Sequence, residues 1–358
     1  MREGGKADMA AKAWATGTEK VDGEIYFQND AVSLCLLVQR RAKTMRVIDF
    51  RAGPTPAKRT FVLSLAQREG VEKVYTVVER DEVATWVKLG FTKEGSIPGF
   101  YKRSDAFLLG CSADAASQTR VAMQSERRII APSNPGSLAR ASSRAGIGAR
   151  SWIDAERLPS DDVDVDSPVD ATAYDFAEKT LVRAKKYARE FLERASGAAA
   201  TRSAFPQVKL ANIAEPLARK SLASALRSGR ALTAFEPFGR GVERKYFTLT
   251  GRGGFELLAS VESQACFGNA FVELLTPPRS EGERLCTAVG LKTLCERLVA
   301  DGTVGCFALA PSDDAGLATA FVYNGFRRTG VLQNHLVVGR ERKDAIVFAR
   351  KLANPAGE

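Results

Sequence analysis

One short pattern occurs twice in this chain of 358 residues and constrains its fold more than any other feature. The first copy runs Lys88, Leu89, Gly90, Phe91, three further residues, then Gly95. The second runs Tyr323, Asn324, Gly325, Phe326, three further residues, then Gly330. In each copy an apolar, strand-like segment leads into a short helical segment before the Gly-Phe, and another strand-like segment follows. A glycine in that place stops a helix in a left-handed turn, and the phenylalanine plugs the core where the chain re-enters a sheet. Gly-Phe alone carries little information. Placed after the same β-α order twice, it predicts two related half-domains.

Hydrophobic periodicity outlines each block. In the first, residues 21–111, strand-like segments fall at Ile25–Phe27, Ser33–Val38 and Met45–Phe50. A turn at Gly53–Pro56 precedes a helix over Lys58–Glu69, with Phe61, Leu65 and Ala66 on one side. A buried strand over Val74–Val78, a short helix over Asp81–Leu89 and a returning strand over Phe100–Leu109 complete the block. In the last block, 239–358, strands at Lys245–Thr250, Phe255–Glu262 and Asn269–Leu275 lead to Pro277 and Pro278. A helix over Gly282–Ala300 follows, with Leu285, Val289, Leu294 and Leu298 on its buried face. Then come an apolar strand, Val304–Ala310, a helix, Asp313–Asn324, behind an aspartate cap, and a hairpin of Val331–Val338 with Ala345–Ala349. The fold class is therefore α/β (α+β): two mixed-sheet blocks with helices covering the sheets.

The remainder reads differently. Residues 1–20 form a polar tail. Residues 112–170 are rich in Ser, Ala, Arg, Gly and Pro and contain the acidic run Asp161–Asp166, the composition of a flexible linker. Residues 171–238 read as a basic helical insertion. Its first helix, Ala171–Ala195, sets Tyr174, Ala177, Leu181, Ala184, Ala188 and Phe191 at helical spacing; its second is Glu215–Ser228. The net charge of +10 raises the local concentration of anionic partners, whether cofactor phosphates or an acidic protein surface. Few aromatics interleave with the basic residues between Lys179 and Arg252, which argues against nucleic acid. Six cysteines without a CxxC pair, and the single histidine His335, argue against a metal site and a disulfide scaffold. With neither a secretory signal nor a run of about twenty apolar residues, the expectation is a cytoplasmic chain.

The stretch Glu94, Gly95, Ser96, Ile97, Pro98, Gly99, Phe100, Tyr101, followed by Asp105 and Phe107, resembles the GNAT family of acetyl-coenzyme A-dependent N-acetyltransferases. So does the run from Ala318 through Phe321, Gly325 and Phe326 to Gly330, Asn334, His335, Gly339 and Arg340. More narrowly, both blocks look like the β-lysine N-acetyltransferases of bacteria and archaea, which carry a degenerate GNAT-like half before the catalytic half. The resemblance covers the two end blocks and not the middle of the chain. It implies direct transfer of an acetyl group from acetyl-CoA to a primary amine, of an amino acid or similar small amine.

The resemblance also implies a cofactor loop of the form Gln/Arg-x-x-Gly-x-Gly/Ala before a helix whose first N–H groups take the pyrophosphate. Arg279 and Gly282 match it; Glu283, Arg284 and Leu285 complete the loop, with Arg284 where a small residue is expected. Glu281 and Glu283 bring negative charge to an anion site. Many members protonate the leaving thiolate from a tyrosine four residues before the Gly-Phe. Phe321 stands there, which leaves Tyr323 as the candidate acid. Glu262 and Glu273 are the candidate bases on the central strands, Glu262 the preferred one. Phe321, Arg284 and the two glutamates motivate a rival expectation: a catalytically weakened, GNAT-derived module that binds an acidic protein partner.

Overall fold

The structure, a computed structural model, describes residues 23–28, 32–50, 53–101, 104–113, 171–197, 206–229, 231, 238–239, 242–264, 268–339 and 341–353. The tail and the acidic run expected from the sequence lie outside them. The N-terminal half runs β1 (Gly23–Gln28), β2 (Ser33–Gln39), β3 (Thr44–Asp49), α1 (Pro56–Arg68), β4 (Lys73–Val78), α2 (Val83–Lys88), β5 (Thr92–Ile97) and β6 (Ala106–Ser112). The C-terminal half opens with α3 (Ala171–Gly197), β7 (Val208–Ile213) and α4 (Glu215–Arg227). It continues with β8 (Glu243–Gly251), β9 (Glu256–Gln264), β10 (Asn269–Leu274), α5 (Glu281–Ala300), β11 (Gly305–Pro311), α6 (Ala315–Tyr323), β12 (Arg327–Val338) and β13 (Glu341–Lys351).

These strands form one mixed sheet in the order β1-β2-β3-β4-β6-β5-β12-β13-β11-β10-β9-β8-β7. Read inward from each edge, setting β7 aside, the two halves have the same order. In each, the crossover that carries a long helix joins the parallel pair, β3 with β4 and β10 with β11. The duplication legible in the Gly-Phe pattern is thus a duplication of topology.

The pattern also does locally what its chemistry demands. Gly90 and Gly325 have φ of +82° and +76°, where a glycine carries no Cβ penalty. The next amide reaches back five residues in both copies: Phe91 N–H donates to the Trp86 carbonyl and Phe326 N–H to the Phe321 carbonyl, each at 3.0 Å. Trp86 and Phe321 hold equivalent positions, and both are buried aromatics. The last glycine of each copy marks the seam between the halves, where β5 meets β12 at Gly95 opposite Gly330. A Cβ on Gly330 would lie 2.3 Å from Gly95 Cα and 2.4 Å from the Glu94 carbonyl oxygen, so only glycine lets the strands come this close. Asn269 adds a second tie, donating from Nδ2 to the carbonyls of Gly99 and Phe100 at 3.0 and 2.9 Å.

Each half has its own helix-covered core. Trp86, Phe91, Leu65 and Val74 belong to the first; Phe321, Phe348, Leu291 and Leu294 belong to the second. The opposite face of the sheet is shared, with Tyr75 and Ile97 of one half packed in a common cluster with Phe271, Phe307 and Leu332 of the other.

Two findings depart from the periodicity reading. The return to the sheet expected over Phe100–Leu109 is instead a hairpin, β5 then β6. β5 looks polar in sequence because its buried Glu94 is neutralised by the equally buried Lys73 on β4. The segment 171–238, read as a helical insertion, supplies a strand as well. β7 pairs along its length with β8, and Ala177, Leu181, Ala184 and Phe191 of α3 join the same core as α5 and α6.

Candidate active site

The parallel strands β10 and β11 stay paired only from Asn269 opposite Gly305 to Val272 opposite Ala308. β10 continues to Leu274 and β11 to Pro311, so they part beyond that point. Beside the parting lies a cleft of about 290 Å³ walled by both halves. Gln39, Arg41 and Tyr75 come from the first half; Phe238, Phe271, Glu273 and His335 come from the second.

Alternation along β10 decides which side chains face the cleft. Ala270 and Val272 point into the helix-covered core, Leu274 touches both that core and the cleft, and Phe271 belongs to the shared face and lines the cleft with Glu273. Ser260 Oγ donates to Glu273 Oε2 at 2.6 Å, and Arg244 Nη1 stands 3.3 Å from the same oxygen. Burial, the dominant influence, pushes the carboxyl from its usual 4.5 up to about 7, against the opposing pull of Arg244 and of the Ser260 hydrogen bond. A carboxyl poised there passes between proton-bound and proton-free forms at neutral pH.

Glu262, on the adjacent β9, has a different task. Arg244 Nη2 donates to it at 2.7 Å, and it accepts the backbone N–H groups of Phe238, at 2.9 Å, and Gly239. It anchors the segment that sets Phe238 against both Phe271 and Phe307, at ring separations of 5.0 and 4.9 Å. Of the two glutamates expected from the sequence, Glu273 lines the cleft and Glu262 builds its wall. Phe238, Arg41 and Tyr75 carry no sequence signal of this role, because the cleft that unites them exists only once the halves have docked.

His335 sits on the bulged part of β12, directly after Asn334 at φ +48°. It is 6% exposed, packs edge-on against Tyr75 at 4.8 Å, and its Nδ1 has no hydrogen-bond partner among the described residues. Burial first, then the charges of Lys73 and Arg342, push it down to about 3, so the imidazole is neutral.

Tyr323 is not brought to Glu273. It packs from the helix side, its ring 6.4 Å from Phe191 of α3, and burial pushes its phenol up. Phe321 is enclosed by Phe326 and Phe348, at 5.2 and 5.0 Å.

The loop before α5 has a mixed character. Ser280 caps the helix by accepting the Glu283 N–H at 3.1 Å, while the Glu283 carboxylate accepts the Arg279 N–H at 2.7 Å. Glu281 pairs with Arg194 of α3. Arg284 turns away from the loop: its guanidinium lies 4.6 Å over the Tyr187 ring, and its stem runs beside Gly316 at the start of α6. Leu285 packs against the core. The N–H groups of Glu281 and Gly282 have no partner among the described residues, and a Cβ on Gly282 would meet only Ser280 Oγ, at 4.0 Å. Among the described residues the Arg279 guanidinium is held by the Gly229 carbonyl alone, at 3.3 Å. Open backbone donors at a helix start beside an arginine fit a phosphate-bearing group. Among the described residues no group of three or more His, Cys, Asp or Glu is placed to hold a metal ion, and no helix is long and apolar enough to cross a membrane.

No family model and no curated protein matches the sequence. Solved structures to which the chain is similar include the ribosomal-protein-S18-alanine N-acetyltransferase of Escherichia coli, at 18% identity and TM-score 0.31, covering 42% of this chain and 97% of that one. An N-acetyltransferase from Staphylococcus aureus is similar at 11% identity and TM-score 0.33, over 41% and 99% of the two chains. Mutant forms of the spermidine/spermine N-acetyltransferase of Vibrio cholerae are similar at 12% identity and TM-score 0.33, over 41% and 94%.

Proposed function

We propose that the chain is an acetyl-CoA-dependent N-acetyltransferase of the GNAT type, with Glu273 as general base for a primary amine held in the cleft. The observation that carries the reading is a buried carboxyl, held at about 7, at the point where β10 and β11 part. Glu273 Oε1 or Oε2 takes one proton from the substrate ammonium and so frees the nitrogen lone pair. Arg244 and Ser260 stabilise the ionised carboxylate before the transfer, and Glu273 is the neutral acid after it. Phe238 and Phe271 keep that proton transfer out of bulk water. The N–H groups of Glu281 and Gly282, with Arg279, are the groups that would hold the pyrophosphate. When bound, acetyl-CoA supplies the thioester acyl group.

A second reading is favoured by two specific contacts. The Glu283 carboxylate occupies one loop N–H, and Phe321 replaces the usual proton donor. Both fit a catalytically weakened module that keeps the fold to bind an acidic protein partner. Thiol release from acetyl-CoA over an amine panel, followed against pH, separates the two. The transferase reading expects kcat/KM to rise with pH through about 7, and Glu273→Gln to lower it by roughly 10²–10⁴ and abolish that limb. Retention of the limb in Glu273→Gln removes Glu273 as base. No thiol release together with no calorimetric binding of acetyl-CoA leaves the weakened module.

A further inference from the structure

We infer that the cleft selects a monoamine bearing an anionic group, and that Arg41 of the N-terminal half holds the anion at the cleft mouth. The inference rests on the transferase reading for the role of Glu273 and on nothing else in it. Among the described residues that line it there is one carboxyl, Glu273, and one permanent cation, Arg41, while His335 is neutral. A ligand that complements this pair presents its amine to Glu273 and an anion to Arg41. A second amine would find no second carboxylate among these described residues and would face the Arg41 charge. The cleft is therefore matched to a zwitterion with a single amine rather than to a diamine or polyamine.

Arg41 is placed for this role by its neighbours. It lies in the turn between β2 and β3, exposed, with no ion-pair partner among the described residues. The basic residues on either side are engaged elsewhere: Arg40 with Glu69 at 2.8 Å and Lys43 with Glu72 at 2.5 Å. The turn itself is fastened to the other half. Arg342 Nη1 donates to the Ala42 carbonyl at 2.8 Å, Nη2 donates to the Asn334 carbonyl at 2.8 Å, and the guanidinium pairs with Glu72 at 3.1 Å. One guanidinium thus holds the backbone beside Arg41 against the backbone beside His335. Between the two charges the wall is aromatic, from Tyr75, Phe238 and Phe271, and suits an apolar ligand body. The first half, whose own helix start is closed by the Lys58 pair with Asp49 and the Gly53 carbonyl, contributes here as a specificity wall.

The test is calorimetric binding to the full chain without cofactor, using phenylalanine against phenethylamine, leucine against isoamylamine, and spermidine. Each amino acid is expected to bind about tenfold more tightly than its decarboxylated amine, as one charge-assisted contact provides. O-phosphoethanolamine in parallel distinguishes a phosphate from a carboxylate as the preferred anion. Arg41→Ala is expected to erase the preference, and Arg41→Lys to restore part of it. Melting curves for these variants verify that the exposed turn tolerates them. The inference is overturned if no zwitterion binds, if the amines or spermidine bind as tightly as the amino acids, or if Arg41→Ala keeps the preference. Zwitterion binding without thiol release would end the transferase reading and leave this one standing.

Discussion

Replacing Gly330 by alanine tests whether the paired glycines are what allows the two halves to share one sheet. The added Cβ would stand 2.3 Å from Gly95 Cα and 2.4 Å from the Glu94 carbonyl oxygen. Ordinary carbon contacts lie at about 3.5–4.0 Å, so β5 and β12 must separate by more than an ångström. Both obstructing atoms are backbone, which cannot rotate aside as a side chain can. Overpacking costs about 1–3 kcal/mol, and this site belongs at the upper end, near 3 kcal/mol. At about 2.1 cal/mol/K of unfolding entropy per residue, a chain of 358 residues then shows a fall in Tm on the order of 4 °C. Gly95→Ala is the internal control. Its Cβ would meet Gly330 Cα at 3.1 Å and the Thr329 carbonyl oxygen at 3.4 Å, so its expected cost is nearer 1 kcal/mol. Thermal and urea melts followed by circular dichroism measure both. A Gly330→Ala protein that melts with the wild type, or a Gly95→Ala protein that is the less stable of the two, would refute the close-approach account of the seam.

Two further outcomes follow from the site. The unfolded chain protonates His335 near 6.5 and the folded one only near 3, so acid draws the protein toward the unfolded state and stability falls as pH drops through that window. Between pH 7 and 5, urea titrations should show the wild type losing about 2 kcal/mol more than His335→Leu; equal losses would count against the buried neutral imidazole. Glu283→Gln should tighten acetyl-CoA binding about two- to fivefold in calorimetry, because it removes a negative charge from the helix start and weakens the hold on the Arg279 N–H. Weaker binding would show that Glu283 supports the loop rather than obstructing it.

Features governed by local chemistry were legible in the chain. A helix stop needs only a glycine and the residues within one turn of it, so Gly90 and Gly325 could be read in advance, and their left-handed φ values match. The apolar runs that became β4, β11 and the buried face of α5 were equally plain, since burial by helices on one side and sheet on the other leaves an unbroken pattern. β5 was not legible, because Glu94 is buried only by virtue of Lys73 on another strand. The surroundings of the two glutamates are likewise set in three dimensions. Glu262 and Glu273 stand on neighbouring strands of similar composition, and what separates them is where other segments arrive: the Phe238–Gly239 backbone on one, an open cleft on the other. The neutral state of His335 is set by burial and by Lys73 from the opposite half, and the cleft itself by the docking of two half-domains. Local sequence thus determined where helices end and strands run. Only tertiary structure decided which charges are neutralised and which are left to meet a ligand, because desolvation and Coulomb interaction depend on distance through space rather than along the chain.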